Sequence, residues 1–261
     1  MDLFDYMREK NMEQESPLAS RMRPTTLDEV VGQEHIIGKD RLLYRAIRAD
    51  KLQSIIFYGP PGTGKTTLAK VIAHTTSAAF TQLNATSAGK KDMEEVVAQA
   101  KNNQGMYGKK TILFIDEIHR FNKGQQDYLL PFVEDGTVIL IGATTENPYF
   151  EVNGALLSRS IIFELKPLTK DNIRVLLRRA VTDCEKGMGS YGAVLDADAE
   201  EFLADLANGD ARSALTAIEL GILTTEPDAA DGKIHITLDV AQECIQKRVL
   251  KYDKNGDNHY D

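Results

Sequence analysis

Apolar residues fall into two rhythms along this chain. Up to about Lys166 they come as short runs, Ile55 to Tyr58, Ala79 to Leu83, Thr111 to Ile115, Val138 to Ala143 and Ile161 to Leu165, of which the second is interrupted by Thr81-Gln82 and the last by Glu164. Runs of that length, rich in Ile, Leu and Phe, are the mark of strands buried on both faces, as in a parallel sheet. The first region is therefore expected to be an α/β domain with a five-stranded parallel sheet flanked by helices. Beyond Pro167-Leu168-Thr169 the period changes to 3.6, with Ile173, Leu176, Leu177 and Ala180, then Phe202, Leu203 and Leu206, then Ala214, Leu215 and Ile218, then Val240, Ala241, Cys244 and Ile245. These patterns predict a small helical domain, with Thr169 as the N-cap of its first helix. The expected division is a flexible arm over 1–17, the α/β domain over 18–166, a helical lid over 167–252 and a tail over 253–261. Glu226 to His235, rich in Asp, Ala and Gly, reads as an exposed loop or hairpin tip.

The first break between strand and helix carries chemistry. Gly59-Pro60-Pro61-Gly62-Thr63-Gly64-Lys65-Thr66 follows the strand Ser54 to Tyr58 and leads into the amphipathic stretch Thr66 to Ala73. In a strand, turn and helix of this kind the glycines let successive backbone N–H groups curl around phosphate oxygens, and the helix start adds partial positive charge. Lys65 would reach the β- and γ-phosphates, the Thr66 hydroxyl would bind Mg²⁺, and Thr67 continues the same turn. A tight turn with an accidental lysine is the plain alternative, and the strand and helix on either side argue against it.

A second string, Ile112-Leu113-Phe114-Ile115-Asp116-Glu117, ends a buried strand in two carboxylates. Parallel strands deliver such residues to the carboxyl end of the sheet, where ligands of open α/β folds bind. Asp116 is then the metal-side carboxylate and Glu117 the base that polarises an attacking water. Read alone, the string could equally be a strand leaving into solvent through acidic residues; the phosphate loop tips the choice. His119 and Arg120 follow, and nothing in the sequence promotes His119 above a polar loop residue.

With Ile141-Gly142-Ala143-Thr144-Thr145 and Ser158-Arg159 next in order, the chain resembles the AAA+ ATPases of the clamp-loader branch. It is most similar to the replication-associated recombination protein A family. Pro17-Leu18-Ala19-Ser20-Arg21-Met22-Arg23-Pro24, Val30-Val31-Gly32-Gln33-Glu34-His35, Asp116-Glu117-Ile118-His119-Arg120-Phe121 and Gly142-Ala143-Thr144-Thr145-Glu146-Asn147-Pro148 carry the resemblance, which runs from about Pro17 to Tyr252. It implies ATP and Mg²⁺ as cofactors and roles for further residues. Thr145 resembles the first sensor, with Asn147 the runner-up. Arg159 looks like the finger that one subunit inserts into its neighbour's site, and Arg212 like the second sensor, reaching the γ-phosphate from the lid. Val31 and Gln33 lie where the family holds adenine. Ser160 stands where clamp-loader relatives often carry Cys, a small change in size and charge. The family continues past the lid into a helical region that makes the oligomer, so a chain ending at Asp261 is expected to bind nucleotide and assemble weakly.

Bulk properties narrow the function classes. At 261 residues, 42% hydrophobic and 27% charged, the chain has the composition of a globular protein. No apolar run is long enough for a membrane span, and Met1-Asp2-Leu3-Phe4-Asp5 lacks the features of a secretion signal. Cys184 and Cys244 lie in helical patterns and are expected to be buried, reduced thiols of a cytoplasmic, nucleoid-associated protein. The formal charge of −8 opposes DNA binding by net field, though local basic residues such as Lys90-Lys91, Lys109-Lys110, Arg120 and Lys123 could meet a phosphate backbone near the top of the sheet. Leu3-Phe4 resembles a short docking motif for a replication partner, or is a frayed end.

The resemblance implies an ATPase acting in replication-fork maintenance, recombination and repair, stimulated by DNA ends, gaps or forks and with sites shared in a homo-oligomer. Single-strand-binding protein or a sliding clamp are the partners it implies. A nucleotide-gated scaffold with slow turnover is the alternative. A small-molecule kinase is disfavoured, because it would not need Arg159 and Arg212 in this order.

Overall fold

The protein is described from a computed structural model covering residues 16–245; Leu3-Phe4 and the tail over 253–261 lie outside the described residues. Residues 24–167 form one compact unit, and 16–23 together with 168–245 form a second.

In the first unit the strands are β1 (Ser54–Tyr58), β2 (Ala79–Asn84), β3 (Thr111–Asp116), β4 (Ile139–Thr144) and β5 (Ser160–Glu164). They make a parallel sheet in the order β2-β3-β4-β1-β5. Register aligns their carboxyl ends on one edge: Tyr58 lies opposite both Thr144 and Glu164, and Asn84 opposite Asp116. Both faces of the central strands are covered, which is why β1, β3 and β4 read as continuous apolar runs. Ile55, Phe57, Ile112 and Phe114 share one core with Leu68 and Ile72 of the helix Lys65–Thr75. The alternating residues Ile56, Leu113 and Ile115 pack on the other side with Met93 and Val96 of the helix Lys90–Tyr107 and Leu129 of the helix Lys123–Glu134. The five expected strands and their parallel arrangement are thus present, each within about a residue or two of its predicted bounds.

The second unit is helical. Its helices are Lys170–Thr182, Ala197–Leu206 and Ala211–Thr224, followed by a helical run over 238–245. Thr169 caps the first of these, its hydroxyl accepting from the Asn172 backbone N–H at 3.2 Å. Ile173, Leu177, Leu203, Leu215 and Ile218 form the core.

Several expectations change. Leu18 and Met22, assigned from sequence to the α/β domain, are buried in the helical unit's core. The helix Leu18–Arg21 is held there by Glu219, whose Oε1 accepts from the Leu18 backbone N–H at 2.8 Å and stands 3.7 Å from the Arg21 guanidinium. An apolar residue in a sequence does not say which of two cores will take it. The 226–233 stretch is an exposed loop as expected, closed by the Asp228 N–H donating to the Lys233 carbonyl at 2.8 Å, but it is not a hairpin tip: beyond it His235–Ile236 pairs in parallel with Val194–Leu195. Cys184 lies beyond the end of its expected helix and is exposed, whereas Cys244 is buried. Lys109 and Lys110 precede β3 and therefore sit at the amino edge of the sheet, away from the carboxyl ends. Lys110 is bound there to the Asp50 carboxylate at 2.7 Å.

Candidate nucleotide site

The phosphate loop leaves β1 at Gly59, whose φ is +141° and whose hypothetical Cβ would lie 2.2 Å from the Leu165 carbonyl oxygen. No side chain fits there, so the loop must start with glycine. The Gly59 N–H is held by the Thr144 carbonyl at 3.2 Å, which ties the loop to the end of β4. Thr63 donates its hydroxyl to the Pro60 carbonyl at 3.0 Å. Gly64, at φ +94°, turns the chain into the helix that begins at Lys65.

The Lys65 ammonium is buried and donates to the Gly59 and Pro60 carbonyls at 2.7 and 2.8 Å. Burial pulls its pKa below the ordinary lysine value, and the Glu117 and Asp116 carboxylates oppose that shift. Both acids therefore face the loop closely enough to act on its cation. A phosphate group would add negative charge beside an ammonium whose hydrogen bonds here go to neutral carbonyls. Thr66 and Thr67, in the first helical turn, are half-buried.

Asp116 closes β3, and Glu117 follows in a left-handed conformation at φ +53°. A non-glycine residue there stores backbone strain of the kind found at functional sites. The turn is fixed from below by Ile118, fully buried beneath a short 3₁₀ turn over Ile118–Arg120. Gly142 of β4 leaves room for it: a Cβ at 142 would meet Ile118 at 2.9 Å and Ile56 at 2.7 Å. Thr145 donates its hydroxyl toward Glu117 Oε2 at 3.4 Å. Asn147, the alternative in this position, uses its side-chain oxygen to cap the next turn, accepting from the Tyr149 N–H at 3.0 Å. Mg²⁺ fits this arrangement. It typically binds through one or two carboxylates plus phosphate oxygens and water, not through an all-protein cage, and Asp116 and Thr66 offer that set; among the described residues no larger cluster of metal-binding side chains exists.

The Gln33 side chain is bonded within the protein. Its amide nitrogen donates to the Lys166 carbonyl at 2.8 Å and the Thr63 carbonyl at 3.3 Å, and its oxygen accepts from the Lys166 N–H at 3.0 Å. With both ends taken, the buried side chain braces the 30–33 segment against the phosphate loop and the exit of β5. Val31, in the same segment, is half-buried.

Sequence reasoning missed His119. Its side chain is 8% exposed, and Nδ1 lies 2.8 Å from Thr144 Oγ1 and 3.3 Å from Glu117 Oε2. No local signal marks it, because Thr144, its nearer partner, comes from the end of the neighbouring strand.

Arg159 is not brought to this site. It stands immediately before β5, level with Gln53 and Ser54 at the amino edge of the sheet. Its guanidinium pairs with Glu134 at 2.5 Å and donates to the Ala155 carbonyl and Ser158 hydroxyl at 2.9 and 3.0 Å, beside an open cavity of about 530 Å³. Arg212 is exposed in the first turn of Ala211–Thr224 in the helical unit, its N–H capped by Asp210 at 2.9 Å.

The profile of the ATPase family associated with various cellular activities (AAA) matches residues 55–168, and that of the AAA C-terminal domain matches 189–261. Replication-associated recombination protein A of Bacillus subtilis is 51% identical over 94% of the chain. The chain belongs to the AAA+ ATPases, in the replication-associated recombination protein A family. The Escherichia coli member is 44% identical over the same share, and the ATPase WRNIP1 of Dictyostelium discoideum 41% identical. The chain spans about half the length of the curated family members it matches, 57% and 54% for the two bacterial ones. Among solved structures, the RuvB Holliday junction branch migration motor of Thermotoga maritima superposes with a TM-score of 0.67 at 25% identity, over 87% of this chain and 73% of that one. No helix among the described residues is long and apolar enough to cross a membrane.

Proposed function

We propose that this chain hydrolyses ATP to ADP and phosphate at the Gly59–Thr67 loop, and that each site is completed by Arg159 of another copy. Glu117 takes a proton from water as its oxygen attacks the γ-phosphorus, and the bridging oxygen leaves with ADP. Mg²⁺, held through Asp116 and Thr66, would neutralise charge on the β- and γ-oxygens. Thr145 orients Glu117 and the water, and Arg212 reads the γ-phosphate from the helical unit.

One observation carries the shared-site reading. Lys65 follows the carboxyl end of β1, and Arg159 lies beside its amino end, so the length of that strand, roughly 15 Å, separates them. An arginine does not span that distance within its own chain, but it could reach the phosphates of a second copy stacked head to tail. Such fingers raise the rate about 10³- to 10⁵-fold.

The family and the RuvB-like fold support DNA as the partner, with work at replication forks, ends or gaps in a cytoplasmic, nucleoid-associated setting. Single-strand-binding protein or a sliding clamp would be neighbours in that work. Exposed Lys90, Lys91, Arg120 and Lys123, at the carboxyl side of the sheet, are the basic residues for it. Steady-state ATP hydrolysis across a protein concentration series, with and without forked or gapped DNA, tests this. Specific activity should climb with both. Flat turnover with ATP still bound would favour the nucleotide-gated scaffold instead.

A further inference from the structure

We infer that His119 is a positioning residue for Glu117, holding its carboxylate by a hydrogen bond from Nδ1–H and linking it to the end of β4 through Thr144. The inference rests on the reading of Glu117 as the base.

His119 Nδ1 faces two oxygens at once, Thr144 Oγ1 and Glu117 Oε2. Thr144 is fully buried, and its hydroxyl oxygen already accepts from the Glu146 N–H at 3.0 Å and stands 3.4 Å from the Glu146 carbonyl. Two hydrogen placements are open. If Nδ1 is bare, the Thr144 hydroxyl donates to it, and the imidazole lone pair is left pointing at a carboxylate. If Nδ1 carries the hydrogen, it donates to Glu117 and Thr144 together, and the Thr144 hydroxyl turns to the Glu146 carbonyl. The second placement gives the carboxylate a donor and keeps the Thr144 hydroxyl partnered, so the carboxylate selects it.

The rest of the turn is built to keep the ring there. Ile118 is locked into the space left by Gly142, and the Arg120 N–H closes on the Glu117 carbonyl at 2.8 Å. His119, one residue on, is fixed beneath the carboxylate. Glu117 keeps 32% of its side chain exposed, so it is held on its buried side by His119, met by Thr145 at the same oxygen, and left open toward the phosphate loop. A strained φ sets the direction of this side chain roughly, and the imidazole sets it finely.

The test reads the ring nitrogens of His119 directly, by long-range ¹H–¹⁵N correlation on the whole chain without nucleotide. Nδ1 should be protonated in the wild type, and Glu117→Ala should move the ring toward Nε2–H. A bare Nδ1 in the wild type, or a ring unaffected by Glu117→Ala, overturns the inference. Kinetics give a second arm. Asn places an amide where Nδ1 sits and Gln places one where Nε2 sits, so His119→Asn should keep kcat within about threefold of wild type while His119→Gln and His119→Ala lose at least about tenfold, all at unchanged KM for ATP. A His119→Ala protein with wild-type kcat also overturns it. If Glu117→Gln itself hydrolyses ATP normally, the reading of Glu117 fails instead, and the nitrogen spectra distinguish the two cases because they need no turnover.

Discussion

In the proposed reaction Lys65 and Glu117 divide the work, and their variants should separate. Lys65→Ala removes the buried cation and should weaken ATP binding at least about a hundredfold. Glu117→Gln keeps the shape and should leave the dissociation constant near wild type while kcat falls about 10²- to 10⁴-fold. Calorimetric titration with ATP beside steady-state kinetics checks both, and equal loss of binding in the two proteins would remove Glu117 from the role of base. Gly59→Ala probes the loop's backbone, since its new methyl group would meet the Leu165 carbonyl at 2.2 Å. It should cost more than about 2 kcal/mol in urea unfolding of the α/β unit. Residues whose chemistry is local were legible in the sequence: glycines at a turn, a lysine at a helix start, acids at a strand end. Gln33 and His119 were not. Gln33 acts on Lys166, 133 positions away, and His119 on a threonine from another strand, and no spacing along the chain encodes either pairing.

Elements were legible where burial wrote an unbroken apolar run. The central strands β1, β3 and β4 show this, and every side chain from Ile112 to Ile115 is fully buried; the edge strands β2 and β5 are only half-buried, and β2 carries Thr81 and Gln82 within its run. The two-residue strands Val194–Leu195 and His235–Ile236 are too short to leave such a trace. The helix Leu18–Arg21 is four residues long, and its packing into the helical unit depends on Leu18 and on the Glu219 carboxylate that receives its first N–H. Leu18→Ala should therefore destabilise the helical unit by about 2–5 kcal/mol and leave the Gly59–Thr67 loop unaffected. Hydrogen exchange checks this: faster exchange in Ala211–Thr224 with unchanged protection in β1 and β3 is the expected pattern. Loss confined to the α/β unit would show that the assignment of Leu18 to the helical core is wrong.

For the molecule as a whole, two compact units and a mixed sheet-and-helix plan followed from the change of rhythm at Pro167, since a sheet buried on both faces and an amphipathic helix bundle bury their residues at different periods. The membership of residues 16–23 in the second unit did not, because it is a choice between two apolar cores. The placement of Arg159 has the widest consequence. In the isolated chain its guanidinium is occupied by Glu134, Ala155 and Ser158 at the edge of the sheet away from the phosphate loop, so under the proposed shared site an unassembled copy lacks its finger and should turn over slowly. Activity then reports contact between copies. Mixing Arg159→Ala protein with Glu117→Gln protein over a series of ratios tests this most directly. Each variant alone should be nearly inactive, and the mixture should recover hydrolysis, because sites pairing an intact Glu117 with an intact Arg159 form only between unlike copies. No recovery at any ratio, with both variants still binding ATP and co-assembling, would contradict a site shared between subunits.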